Sequence, residues 1–204
     1  VLTEKFKQDF PHLSMKPIHN EYLEGLNLLK TESKRAKIVF FLGSNIGNFT
    51  LPGGIEFLKQ IKSAVNKNDL LLIGFDLQKD PQIILPAYDD AQGVTAAFNL
   101  NLLTRINREL GANFEIDKFL HQAVYDKFDG AARSFLVSRV QQTVFIKALN
   151  AAFHFQKGEP IFMEVSQKYS FAMIEELAET SGFEVAQNFL DEKSYFTDSL
   201  WKSL

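Results

Sequence analysis

The segment Lys37-Ile38-Val39-Phe40-Phe41-Leu42 carries no polar residue after its first position and stops at Gly43. A strand with one wet face alternates polar and apolar side chains. An unbroken apolar run therefore predicts a strand buried on both faces, the habit of a central parallel strand. A second such run, Leu70-Leu71-Leu72-Ile73-Gly74-Phe75-Asp76, lies downstream and ends on an acid. Between them, Gly54 to Val65 places Ile55, Leu58, Ile61 and Val65 on one helical stripe, with Pro52 suited to the helix start. Asn66-Lys67-Asn68-Asp69 supplies the turn back. Strand, crossover helix and strand make a βαβ unit, so the chain reads as a doubly wound α/β protein.

Further elements flank that unit. Residues 1–10 predict the later turns of a helix, with Leu2, Phe6 and Phe10 on one face, and a chain that opens inside a helix leads to the expectation of further sequence upstream. Met15 to His19 predicts a short strand and Glu21 to Leu29 a short helix. Residues 79–90 read as a loop with two prolines and the pair Asp89-Asp90, which can cap the succeeding helix. That helix carries Val94, Phe98, Leu102, Leu103, Ile106 and Leu110 on one face and runs to Gly111. From Ser134 to Ser166 the pattern becomes strand-like, through Phe135, Val137, Val140, Val144 and Ile146, then Phe153 and Phe155, then Ile161, Met163 and Val165. The turn Gln156-Lys157-Gly158-Glu159 interrupts it. This predicts an antiparallel meander forming an inserted subdomain. A helix over 171–180 and two closing strands, Phe183 to Phe189 and Tyr195 to Trp201, complete the chain. The expected division is a main domain of residues 1–78 and 169–204 with an insert at 79–168.

Bulk properties narrow the function classes. Of 204 residues, 46% are apolar and 20 are Phe, enough for a core without covalent staples. The net charge of -3 argues against nucleic-acid or membrane binding, which call for a basic patch. The longest basic cluster, Lys34-Arg35-Ala36-Lys37, reads as a solvated loop. Cysteine is absent, which removes disulfides, thiolate metal sites and cysteine nucleophiles. The four histidines are scattered without metal-ligand spacing, so no metal is expected. Nothing resembles a signal peptide or a membrane span, and a cytoplasmic protein is the default expectation.

Three places carry candidate chemistry. In open α/β sheets, ligands sit beyond the carboxyl ends of the strands. Gly43-Ser44-Asn45-Ile46-Gly47-Asn48 occupies such a place, and its glycines serve equally a ligand floor or a tight bend. No Gly-Lys-Ser/Thr follows, so a nucleoside triphosphate is not expected. Glu21-Tyr22 sets an acid beside an aromatic ring, which suits an adenine or an ordinary helix start. Glu164 and Ser166 are two apart on a strand and so face the same way. They form either a grip on a small polar group or a solvated strand face.

Five segments together resemble the histidine Nα-methyltransferase family of the ergothioneine pathway. They are Phe41-Leu42-Gly43-Ser44-Asn45-Ile46-Gly47-Asn48, Asp76-Leu77-Gln78-Lys79-Asp80, Ala87 to Asn99 (through Tyr88-Asp89-Asp90 and Gly93-Val94-Thr95-Ala96-Ala97-Phe98), Asn107-Arg108-Glu109-Leu110, and Glu164-Val165-Ser166-Gln167-Lys168-Tyr169. The resemblance implies a Rossmann-like class I methyltransferase sheet with its first strands missing, and an inserted helix-plus-antiparallel-sheet domain that closes over the substrate. It implies S-adenosylmethionine as methyl donor, S-adenosylhomocysteine as product, no metal, and methylation of the α-amine of free histidine, carried to the trimethyl form. Gly43, Asn48 and Tyr88 would hold the amino-acid end of the substrate, Glu164 and Ser166 the imidazole, and Glu21 and Tyr22 the adenine. No residue is implied as a general base; Asn48 and Tyr88 act by positioning.

Two departures accompany the resemblance. The glycine-rich cofactor loop and ribose-binding acid of the family have no counterpart here, which implies a C-terminal fragment. Ser134 stands where the family carries a methionine against the substrate. Another amino acid, such as a tryptophan derivative, is therefore the alternative substrate within the class. A non-catalytic binding module is the alternative outside it.

Overall fold

The computed structural model describes residues 2–32 and 35–204. Val1, Ser33 and Lys34 lie outside the described residues, so the basic cluster is followed only from Arg35. Its last member is no solvated lysine. Lys37 donates from its backbone N–H to Asp69 Oδ1 at 3.0 Å and from Nζ to Oδ2 at 3.3 Å. The buried Asp69 carboxylate also accepts the Asn66 N–H at 2.8 Å. It thereby ties together the starts of the two apolar strands.

The elements in chain order are α1 (Leu2–Asp9), α2 (Tyr22–Glu32), β1 (Ile38–Phe41), α3 (Leu51–Ala64), β2 (Leu70–Asp76), α4 (Pro81–Ile84), α5 (Val94–Leu110), β3 (Phe119–Asp126), β4 (Ala131–Ser138), β5 (Gln142–Ile146), β6 (Ala151–Phe155), β7 (Pro160–Gln167), α6 (Phe171–Ser181), β8 (Phe183–Leu190) and β9 (Phe196–Ser203). The fold is mixed α/β. Met15 to His19 does not form the expected strand; Pro17 removes a ladder donor there, and the stretch is mostly exposed.

The first sheet has the order β1-β2-β9-β8, parallel between β1 and β2 and antiparallel elsewhere. The βαβ unit is therefore present, with Thr50 Oγ1 accepting the Gly53 N–H at 3.3 Å to start α3. Phe57, Leu58 and Ile61 of α3 and Ile174, Leu177 and Ala178 of α6 pack on Leu71, Ile73, Phe75, Phe183 and Trp201. Trp201 is fully buried because its indole N–H donates to Ser199 Oγ at 2.8 Å, leaving no orphan donor. The expectation that β1 is central and buried on both faces is corrected. Among the described strands β1 pairs only with β2, and Ile38 and Phe40 are 53% and 63% exposed. Only Val39 and Phe41 turn towards the helix-covered face, where they join that core.

The second sheet has the order β3-β4-β7, all antiparallel. The meander reading needs three corrections. The sequence pattern assigned no β3, and β5 and β6 form a separate hairpin inserted between β4 and β7. The phase of β4 is also reversed. Ala132, Ser134, Leu136 and Ser138 are buried, while Phe135 and Val137 stay half-exposed. Serines tolerate that burial because their hydroxyls find acceptors: Ser134 on Glu164 Oε1 at 3.0 Å and Ser138 on the Val140 carbonyl at 2.8 Å. A second core unites Leu103, Phe114, Phe119, Leu136, Val144 and Ile146.

The loop expected at 79–90 contains α4 and a 3-10 turn at Leu85–Ala87, started by Asp80 accepting the Gln82 N–H at 2.8 Å. Helix α5 is rotated from the expected stripe. It buries Asn99 and Leu103, whereas Val94 and Phe98 are largely exposed. Asn107 closes its far end by bracketing Phe114, donating to the carbonyl and accepting the N–H, each at 2.8 Å.

The two sheets meet where the chain leaves and re-enters the first. Leu77 and Tyr169 form a parallel bridge, with the Tyr169 N–H on the Asp76 carbonyl at 2.9 Å and the Gln78 N–H on the Tyr169 carbonyl at 3.0 Å.

Candidate functional site

The turn after β1 is clamped from two sides. Gly43 (φ 79°) and Ser44 (φ 56°) are left-handed, and Ser44 Oγ accepts the Asp76 N–H at 2.9 Å from the end of β2. Asn45 folds back, donating to the Leu42 carbonyl at 2.9 Å, and residues 45–48 make one 3-10 turn. On the other side lies the end of β7. A Cβ on Gly47 would stand 2.8 Å from the Gln167 carbonyl oxygen, and the buried Tyr169 hydroxyl donates to the Ile46 carbonyl at 3.1 Å. Asn48 follows, exposed and hydrogen-bonded to no other described side chain.

Glu164, Ser166 and Lys168 emerge from this same end of β7. In register, Ser134 faces Glu164 and Ala132 faces Ser166, so both functional candidates share a face with the small residues of β4. A bulge sits beside them, where Ser134 pairs with Glu164 but Phe135 pairs with Phe162. Bulges of this kind re-aim the side chains next to a site. Glu164 also lines a cleft of about 210 Å³ with Phe98, Asn99, Leu102, Arg105 and Met163.

A buried ammonium joins this strand to the segment 79–90. Lys168 Nζ lies 2.6 Å from Asp76 Oδ2, 2.6 Å from Tyr88 Oη and 2.9 Å from Ser166 Oγ. Burial pushes the Lys168 pKa down, but the Asp76 carboxylate and the Tyr88 oxygen more than offset it, and the net shift is upward. The other Asp76 oxygen is held by Lys79 Nζ at 2.5 Å. The backbone of Tyr88 is fixed as well. Its carbonyl accepts from His121 Nε2 at 2.8 Å, so that nitrogen carries the proton and Nδ1 faces the Asn99 amide at 3.4 Å. Two residues on, Asp90 accepts the Val94 and Thr95 N–H groups at 2.9 and 2.7 Å and starts α5. Those amides, Thr95 first, lower its pKa to about 2.

Glu21 and Tyr22 lie apart from this cluster. They line a cleft of about 350 Å³ with Ile18, Asn20, Gly25, Leu26, Val39, Phe40, Phe41, Phe57 and Ile61. The Tyr22 ring stands edge-on to Phe41 and Phe57, at 6.1 and 6.5 Å between centroids. An apolar floor, an exposed aromatic ring and a carboxylate at the rim can take a flat heteroaromatic ring that carries an amino group. Among the described residues, no group of three or more His, Asp or Glu side chains gathers as a metal site would require, and no helix is long and apolar enough to cross a membrane.

The family model described as "Histidine-specific methyltransferase, SAM-dependent" matches residues 2–203. The chain belongs to this family. It is similar to the histidine N-alpha-methyltransferase of Mycolicibacterium smegmatis, with 38% identity over 161 residues, 79% of this chain and 50% of that protein. It is likewise similar to the histidine N-alpha-methyltransferase of Mycobacterium tuberculosis, with 34% identity over 163 residues, 80% of this chain and 50% of that protein. The chain thus spans about half the length of these curated relatives. Among solved structures it is similar to an S-adenosylmethionine-dependent methyltransferase from Clostridium acetobutylicum, with a TM-score of 0.46 and 9% identity over 98% of this chain and 69% of that one.

In this member of the histidine-specific methyltransferase family, the fold brings Tyr88, Ser166 and the Gly43–Asn48 turn against the end of β7, with Glu164 on the same strand face. Sequence reasoning singled out these residues but not the groups that organise them: Asp76, Asn99, His121 and Lys168. One signal was available for Lys168. Glu164, Ser166 and Lys168 alternate at i, i+2 and i+4, a polar stripe at odds with a core strand.

Proposed function

We propose that the protein carrying this chain transfers a methyl group from S-adenosylmethionine to the α-amine of histidine, and that residues 79–168 are an inserted substrate-binding domain on a methyltransferase domain of 1–78 and 169–204. The observation that carries this reading is the joining of Tyr88 and Ser166 through one buried ammonium, with Glu164 on the same strand face as Ser166. A free amino acid with a polar ring has two recognisable ends, and these residues offer a place for each. The exposed Asn48 amide, the Gly43 backbone and the Tyr88 hydroxyl would take the carboxylate and amine. Glu164, steadied by Ser134, would accept a ring N–H, and Ser166 would meet the second ring nitrogen.

The cleft at Glu21 and Tyr22 fits the adenine of the donor, its carboxylate accepting from the exocyclic amine while the aromatic floor packs on the ring. S-adenosylmethionine, when bound, would supply a sulfonium methyl to which an amine lone pair can bond as the S–C bond breaks, with the thioether S-adenosylhomocysteine as leaving group. The chain's own residues add position. They hold the amine at a fixed distance and angle, and effective molarity of this kind lowers a barrier without covalent catalysis. The amine proton leaves to solvent.

Isothermal titration of the intact protein with histidine in the presence of S-adenosylhomocysteine tests the reading. Saturable one-to-one binding of histidine, lost when tryptophan replaces it, is the expected result. Absence of histidine binding overturns it.

A further inference from the structure

We propose that Lys168 is a positioning residue that turns the Tyr88 and Ser166 hydroxyls into hydrogen-bond donors aimed at the two ends of the substrate. The inference rests on the histidine reading and deepens it. An ammonium carries three protons and no lone pair, so it can only donate. Lys168 has three oxygen neighbours within 2.9 Å, one carboxylate and two hydroxyls, and its side chain is 4% exposed. Each proton therefore has its acceptor, and both hydroxyls spend a lone pair on the lysine.

Neither the Tyr88 nor the Ser166 hydroxyl donates to another group among the described residues. Their protons are left to point away from Nζ. A hydroxyl that accepts from a cation is also a stronger donor, because the bonds polarise one another. Tyr88 would thus present a proton to a carboxylate. Ser166 would present one to an unprotonated ring nitrogen, while Glu164, two residues away on the same face, accepts from a protonated one. That donor-and-acceptor pair matches a neutral imidazole and mismatches an indole, which has an N–H but no basic nitrogen. Asp76 makes the arrangement durable. Its second oxygen is held by Lys79, and its backbone N–H and carbonyl are fixed by Ser44 and Tyr169. The same lysine therefore couples the amino-acid end of the site to the ring end and to the Gly43–Asn48 turn.

The test is a set of variants in the intact protein: Lys168→Met, Tyr88→Phe with Ser166→Ala, and all three together. Lys168→Met is expected to raise the KM for histidine on the order of 10- to 100-fold, with the KM for S-adenosylmethionine unchanged. In the background lacking both hydroxyls the same substitution is expected to change the KM for histidine less than about threefold, because nothing remains for the lysine to orient. An undiminished effect in that background overturns the inference while leaving the histidine reading intact. Should Lys168→Met not fold, the unsubstituted protein still decides: the 15Nζ resonance of Lys168 is expected to shift when histidine binds with S-adenosylhomocysteine. Histidine binding that leaves this resonance unmoved overturns the inference. Failure of the unsubstituted protein to bind histidine overturns the functional reading and this inference with it.

Discussion

Replacing Gly47 by alanine would put a methyl carbon 2.8 Å from the carbonyl oxygen of Gln167. Ordinary contact needs about 0.5 Å more, and neither partner yields easily. Gln167 closes a ladder with Ala131, and its side chain is fixed on the Asp129 and Lys168 carbonyls at 2.6 and 2.9 Å. Gly47 sits in a 3-10 turn without positive φ, so alanine meets no backbone penalty there, and the whole cost comes from the contact. Overpacking of this kind costs about 1–3 kcal/mol. For a chain of this size that corresponds to a fall in Tm of roughly 3–10 °C. Relief by opening the gap between the turn and β7 would carry Asn48, the next residue, away from the end of that strand. A displacement of about half an ångström in a positioning site is expected to lower kcat/KM for histidine about tenfold. Scanning calorimetry and steady-state kinetics measure both effects. Gly54→Ala is the control: its new methyl finds Ile46 Cδ1 at 3.6 Å, within helix α3, and should raise stability by about 0.5–1 kcal/mol. If Gly47→Ala melts and turns over like the unsubstituted protein, the clamp between turn and strand is not the feature that sets the site.

Glu164→Gln removes a charge-assisted acceptor for the ring N–H and should weaken histidine binding about 10- to 100-fold by titration, with S-adenosylhomocysteine affinity unchanged. His121→Leu strands the Tyr88 carbonyl and should cost about 1–3 kcal/mol in urea unfolding; a smaller loss means that water replaces the imidazole. For Asp69, burial raises the pKa, but the Asn66 and Lys37 donors outweigh it, so the folded value lies below the ordinary one of about 3.9. A depressed carboxyl contributes stability above the unfolded pKa and loses it as pH falls through the folded value. The stability gap between the unsubstituted protein and Asp69→Asn should therefore narrow between about pH 5 and pH 2, and urea midpoints at both ends that differ equally would refute the assignment. Leu58→Ala, at a fully buried position under the first sheet, should cost about 2–5 kcal/mol in the same assay.

The βαβ unit, α5, α6 and the two closing strands were legible because their periods are long and bounded by clear stops such as Gly111. The phase of β4 was not. Periodicity weighs side chains by hydropathy, so Phe135 and Val137 outrank Ser134 and Ser138, although the serines are the buried ones once their hydroxyls are matched. Strand β3 escaped for a related reason: its buried positions are Phe119 and His121, and the histidine is there for its two hydrogen bonds. The apolar face expected for α5 failed at Asn99 in the same way. The candidate site was readable as motifs, since Tyr88, Glu164 and Ser166 stand in specific runs. The lysine binding two of them together is a contact between residues 80 positions apart, and one-dimensional spacing carries no such information.

The bridge between Leu77 and Tyr169 bears on how such a chain can change over time. The stretch from 79 to 168 departs and returns through neighbouring backbone positions, so exchanging or resizing it imposes almost no new closure entropy on the first sheet. On the domain division proposed above, it is a removable cassette. Its seam, however, runs between Asp76 on the host and Lys168 on the cassette, a pair with one partner on each side. Recombination at this joint would preserve the fold readily, while chimaeras that keep the two residues matched would retain an organised site and those that separate them would not.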